Sequence, residues 1–328
     1  MFHKSHRRSG GGVMGIFRMF LSLIILAILG LGLLQAYKSF SGFDPLTLNP
    51  STAADFSLTP DGIIAFIKAL VSDPGSALES TKISEESTAS DIKLKFAVIA
   101  DPHLDYPGLA KALKIAKEKN TQFIIAMGDF SDVGTTRELM ASRQKFDEGG
   151  LTYYALPGDH DLWDSRDKGN IPNQNFNSVF GPPYQAFSVN DVRFILVYNS
   201  DNYSGLDEIQ LSWVEEEVDK SSADPSAVTF VFAATPLYHP SSDHVMGKVT
   251  PKLKNQADHL IDIFKKGGVE EVFSADTHFY SRYQEPKSML NMTTVGAVTS
   301  DRNPQTPRFA IVEVYTDGSY NVIETPLN

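Results

Sequence analysis

Four short stretches place Asp and His together where apolar runs end: Asp101-Pro102-His103, Gly128-Asp129-Phe130-Ser131-Asp132, Gly158-Asp159-His160-Asp161 and Ala275-Asp276-Thr277-His278. Taken singly, each has an ordinary reading. An Asp after a strand commonly caps the next helix by accepting its orphan amide hydrogens, and a lone His is commonly a surface or hydrogen-bonded residue. Recurrence changes the reading, because carboxylates crowded together repel one another and resist desolvation unless a cation sits among them. Carboxylate oxygen and imidazole nitrogen both ligate divalent cations, so the four stretches read as parts of a metal centre.

For the stretches to meet, the elements before them must deliver them to one place. KLKFAVIA, TQFIIAM and LTYYAL are compact apolar runs suited to strands buried on both faces. Between them PGLAKALKIAKEKN, with Leu109, Ala112, Leu113 and Ala116 at helical spacing, and TTRELMASRQKF read as helices. AFSVNDVRFILVYNS and AVTFVFAATP read as strands on either side of a helix over DEIQLSWVEEEV, and a helix over NQADHLIDIFKK leads to the strand VEEVFS. The end, RFAIVEVYTDGSYNVIET, reads as a hairpin turning at Asp317-Gly318. Strands alternating with helices predict a parallel sheet, whose strand C-termini share the edge where ligands bind.

Composition sets outer bounds. The chain has no cysteine, which excludes disulfides, thiolate zinc sites and a cysteine nucleophile. Residues 1–18 carry Lys4, Arg7, Arg8 and Arg18 and no acid, so the remainder of a chain of net charge −11 carries −15 and repels duplex nucleic acid. Met19 to Ala36 contain no charge; as a helix they would rise about 27 Å, enough to cross most of a bilayer. The apolar run is longer than that of a cleaved signal and no small-residue cleavage site follows it, so we expect a transmembrane signal anchor over 13–38. Residues 1–12 then form a short basic cytoplasmic tail, and 39–91 a short helix and a Ser/Thr/Glu-rich tether. The basic flank places the folded domain on the extracytoplasmic side of a single-pass membrane protein, with the bilayer as one partner.

Taken in order, the ionisable stretches resemble the calcineurin-like metallophosphoesterase superfamily. Its pattern is Asp-x-His, Gly-Asp-x-x-Asp, Gly-Asn-His-Asp/Glu, a His two residues before Pro, and Gly-His-x-His. The resemblance extends over residues 92–328 and includes FGPPYQAFSVNDVRFILVYNS and EIQLSWVEEEV as connecting elements. It implies an α/β fold, a four-layer α/β/β/α sandwich. It also implies one metal site from Asp101, His103, Asp129 and His278, with Asp129 bridging to a second. His160 would give a proton to the leaving oxygen, and Asp161 would orient and charge-stabilise His160. The implied reaction is attack on a phosphomonoester or phosphodiester by hydroxide held between divalent metals, one or two ions of Mn, Mg, Fe or Zn.

The chain departs from the pattern at the second metal. Asp159 stands where the family has Asn, Ala234 where it has His, and Asp276 where it has His. Asp159 and Asp276 make that site richer in oxygen than usual, which favours hard cations. Asp101, Asp129, Asp159 and Asp276 together carry −4 and would neutralise two dications, weakening the pull on a phosphate. A rival reading follows: a catalytically impaired pseudo-phosphoesterase serving as a binding or scaffolding module. His239 and His244, just beyond the vacant position, read as exposed loop histidines; the other reading has one of them reaching back. Asp132 occupies the place of the metal-binding Tyr of purple acid phosphatases, so an iron-tyrosinate site is not expected.

Overall fold

The structure, a computed structural model, describes residues 91–223 and 227–327. The apolar span expected at 13–38, the tail before it and the tether after it lie outside those residues. Among the described residues no helix is long and apolar enough to cross a membrane.

The strand–helix alternation is as the sequence predicts: β1 (Ile92–Ala100), α1 (Tyr106–Glu118), β2 (Phe123–Met127), α2 (Thr136–Gly149) and β3 (Thr152–Leu156) follow one another. Each helix starts at a side-chain cap. Asp105 accepts from the Gly108 amide, and Thr135 and Glu138 form a reciprocal capping box. After β3 come a single 3-10 turn at His160–Leu162 and two short helices, α3 (Trp163–Asp167) and α4 (Gln174–Phe180). The second half runs β4 (Gln185–Val189), β5 (Val192–Val197), α5 (Glu208–Ser222), β6 (Val228–Ala233), α6 (Leu253–Lys266) and β7 (Glu271–Ser274). It ends with β8 (Ser281–Gln284), β9 (Asn291–Thr294), β10 (Arg308–Tyr315) and β11 (Tyr320–Pro326).

The strands form two sheets, β11-β10-β1-β2-β3 and β4-β5-β6-β7-β9-β8. β1, β2 and β3 are parallel, as are β5, β6, β7 and β9, while β10 closes antiparallel against β1. One apolar cluster lies between the sheets, where Phe96 meets Phe194 and Phe232 edge-to-face and Phe230 at a tilt. A second joins the first sheet to α1, α2 and α4, and a third joins the second sheet to α5 and α6. Both faces of the central strands are therefore buried, which is why those strands are continuously apolar instead of alternating.

Two features differ from the sequence reading. AFSVNDVRFILVYNS is two antiparallel strands, not one: Asn190 and Asp191 adopt φ of 49° and 56°, the left-handed pair that a tight hairpin turn needs. β8 and β9 were not anticipated; each is four residues long and too short for a period to show.

Candidate metal centre

The C-terminal ends of β1, β2, β3, β6 and β7 come together, and with them the four ionisable stretches. Five of the six residues assigned to metal ligation from the sequence, Asp101, His103, Asp129, Asp276 and His278, hold φ between 38° and 68°. A non-glycine residue in that left-handed region costs about 1 kcal/mol or more, so five at one edge mark a site whose geometry is imposed by the fold around it. The turns after β2 and β3 touch through glycines. A Cβ at Gly128 would lie 2.5 Å from the Gly158 amide nitrogen, and a Cβ at Gly158 would overlap the Asp129 carboxylate.

Three of the four residues expected at the first centre converge. His103 Nε2 lies 3.0 Å from His278 Nε2 and 3.3 Å from Asp129 Oδ2, and one ligand atom from each residue falls within 4.8 Å of the others. Ligands about 2.1 Å from a common ion are separated by about 3.0 Å at 90° and about 3.4 Å at 109°, so these spacings fit a coordination shell. His278 Nδ1 is 3.1 Å from the Asp301 carbonyl, which can only accept; Nδ1 therefore carries the proton and Nε2 offers its lone pair. The guanidinium of Arg302 reaches His103 Nδ1 at 3.3 Å, and Asp132 Oδ1 lies 3.8 Å from the same nitrogen. Asp101 stands apart from the trio. Its two oxygens both receive the Asp276 amide, at 3.2 Å each.

A second group is made by Asp129, Asp159 and His160. Asp276, which the sequence reading put here, is instead held by neighbours on both oxygens: Thr235 Oγ1 donates to Oδ2 at 3.2 Å, and His244 Nε2 lies 2.9 Å from Oδ1. Asn202 donates to Asp159 Oδ2 at 3.4 Å. Ala234 is buried in the core between the sheets and offers no ligand.

His160 is oriented otherwise than the resemblance implies. Its Nδ1 lies 2.6 Å from the Asp132 carbonyl and its ring stacks on Trp163 at 3.8 Å, leaving Nε2 toward the site. Asp161 does not bond to His160. It is fully buried and accepts from the amides of Gly158 (3.0 Å), Phe130 (3.3 Å) and Ser131 (3.1 Å) and from the Ser131 hydroxyl (2.7 Å), so it ties the β2 and β3 turns together. Ser131→Ala, which removes the shortest of these bonds, is expected to cost about 1–2 kcal/mol. Thermal unfolding of the parent and variant should differ by a few degrees, and equal midpoints would show that the tie is dispensable.

The electrostatics suit a cation. Burial pushes the carboxyls of Asp101 and Asp129 well above the ordinary range and Asp159 above it as well, and the nearest carboxylates add to each shift. Burial pushes His103 down to about 3 and lowers His278, so both imidazoles are neutral. His244 goes the other way, up to about 9, chiefly through its hydrogen bond and charge contact with Asp276. His103, Asp129 and His278 thus fit a divalent ion in donor type, spacing and charge.

The sequence profile of the calcineurin-like phosphoesterases matches residues 94–280. The chain belongs to that family. Among solved structures, the domain resembles a purple acid phosphatase, PPD1 from yellow lupin seeds, with a TM-score of 0.55 at 12% identity, over 73% of this chain and 52% of that one. It also resembles GAP50, the anchor in the inner membrane complex of Plasmodium, with a TM-score of 0.52 at 14% identity, over 72% of this chain and 85% of that one. At such identities the likeness is one of fold alone. No curated protein sequence matches.

As a member of this phosphoesterase family, the chain has a candidate metal edge at which several contacts could not be read from the sequence. Arg302, Asp132 and Asn202 act through contacts between loops, which leave no period in the sequence. His244 was visible as a histidine beyond a vacant ligand position, but only the loop's path shows that it reaches Asp276.

Proposed function

We propose that residues 92–328 form a divalent-cation-dependent phosphoesterase, hydrolysing a phosphomonoester or phosphodiester, held outside the membrane by the N-terminal anchor. The observation that carries this reading is the convergence of His103, Asp129 and His278 at ligand–ligand spacing in a calcineurin-like domain. Divalent ions supply Lewis acidity, neutralising charge on the phosphoryl group and acidifying water. The chain's own residues do the rest. His160, held through Nδ1 by the Asp132 carbonyl, presents Nε2 to the site and in its protonated form passes a proton to the leaving oxygen. Asp161 keeps the turn bearing His160 against the turn bearing Asp129. Arg302, beside His103 at the rim, adds positive charge where a phosphate would arrive.

One observation favours the second reading, a binding module without turnover: Ala234 supplies no ligand and Asp276 is already paired with His244. GAP50, which is described as the anchor in the inner membrane complex of Plasmodium, is in keeping with this reading. The two readings separate in a hydrolysis screen of the full-length protein with p-nitrophenyl phosphate and bis(p-nitrophenyl) phosphate under Mn²⁺, Mg²⁺, Zn²⁺ and Ca²⁺. We expect metal-dependent turnover that EDTA abolishes and that falls at least about 100-fold in His278→Ala. A protein inert under every combination would be the binding module.

A further inference from the structure

We propose that His244 is the imidazole ligand of the second cation, taking from a loop the place that Ala234 leaves vacant just after β6. His244 Nε2 sits 2.9 Å from Asp276 Oδ1, the separation of neighbouring ligands around one ion, and Thr235 Oγ1 fixes the other oxygen of the same carboxylate. Asp129 and Asp159 already form a ligand group, and Asp276 with His244 would complete it to three carboxylates and one imidazole.

The loop is organised to deliver that side chain. His239 is buried, its Nδ1 accepts the amides of Ser241 (3.2 Å) and Ser242 (2.9 Å), and its Nε2 consequently carries the proton and faces Ser281 Oγ at 3.1 Å. Ser242 Oγ in turn accepts the His244 amide at 3.1 Å. On the far side, Met246 is buried and its amide returns to the Pro236 carbonyl at 2.8 Å. Gly247, at φ 94°, turns the chain so close to α6 that a Cβ would lie 2.6 Å from the Lys254 amide nitrogen. A surface ion pair needs none of this. A ligand does, because bond length and direction must both be met.

The imidazole changes which ion the centre prefers. An oxygen-only set would take Mg²⁺ or Ca²⁺ readily, whereas one nitrogen donor moves the preference toward Mn²⁺ and Zn²⁺. The proposal rests on the metal-dependent reading above only for the presence of cations, and its test counts ions without measuring turnover.

The test is Mn²⁺ titration of the full-length protein, followed by the electron paramagnetic resonance signal of the free ion. The parent should bind two ions. His244→Ala should bind the second at least about 10-fold more weakly and the first unchanged, and His244→Asp should regain the second ion but lose its preference for Mn²⁺ over Mg²⁺. Because the His244 side chain is half-exposed, the alanine variant should fold, and its unchanged first site is the internal control. The proposal is overturned if the parent binds fewer than two ions, if His244→Ala holds both as tightly as the parent, or if both sites weaken alike.

Discussion

Asp129→Asn is expected to abolish metal-dependent hydrolysis and, with the metal stripped, to make the protein more stable. Asp129 is the one residue common to both ligand groups, Oδ2 facing His103 and Oδ1 receiving the His160 amide. Removing its charge from both centres at once should remove several kcal/mol of stabilisation at the phosphoryl group, a loss of at least about 10³-fold in turnover. Stability moves oppositely because burial of the Asp129 carboxylate, and after it repulsion from Asp159, Asp101 and Asp276, has raised its proton affinity. A carboxyl whose folded-state pKa lies above its unfolded value stabilises the fold fully only below the unfolded pKa, near 4, and loses that contribution as pH rises through the folded value. In EDTA the variant should therefore melt above the parent by about 2–6 °C at pH 7–8, and the gap should close toward pH 4. His103 and His278, whose pKa values are lowered, are common to both proteins and cancel in the difference. With saturating Mn²⁺ the order should reverse, since ligand binding at 100 to 1,000 times its dissociation constant stabilises the parent by about 3–4 kcal/mol. Equal melting curves in EDTA at every pH would mean that the carboxylates do not repel, and the cation would lose its rationale.

That opposition of stability and function also explains what was legible in the sequence. Buried parallel strands need unbroken apolar runs, and KLKFAVIA, TQFIIAM and VTFVFA show them directly, so the strands and the edge they share could be read from residue type. The ligands at that edge were legible for the complementary reason: Asp and His have no place beside Phe and Val unless something compensates them. Asp161, expected to orient and charge-stabilise His160, bonds instead to the turns after β2 and β3. Its compensation comes from three amides and a hydroxyl, and backbone donors are invisible in a list of side chains. The Asp132 carbonyl that orients His160 was hidden in the same way. Asp101 shows a third limit, since its rotamer toward the Asp276 amide depends on where β7 ends relative to β1, a relation between two sheets. His244 shows a fourth. The residue was noted, but its path depends on a buried His239 acting as a hydrogen-bond acceptor for its own loop.

Asp159→Asn together with Asp276→His is expected to turn the second centre from a manganese-type site into a zinc-type site. The pair of substitutions takes the charge of Asp101, Asp129, Asp159 and Asp276 from −4 to −2, so that two dications would leave the site at +2 where they now leave it neutral. It also gives the second ion an imidazole just after β7 beside that of His244, and softer ligation raises the affinity for Zn²⁺ over Mn²⁺, by about 10- to 100-fold. Inorganic phosphate should bind more tightly to the doubly loaded variant, because the residual positive charge acts on a dianion in a partly desolvated site. Both changes can be read by competition titration with Zn²⁺ and Mn²⁺ and by phosphate calorimetry. Adding Ala234→His, which would complete the family's pattern, should bring no further gain. His244 already supplies that imidazole, and Ala234 is packed with Phe232 and Ala275 between the sheets, where a larger side chain costs about 1–3 kcal/mol. The triple variant should accordingly melt lower than the double while binding Zn²⁺ no more tightly. If the third substitution instead raises Zn²⁺ affinity by another order of magnitude, the vacancy after β6 is a real one and His244 does not fill it.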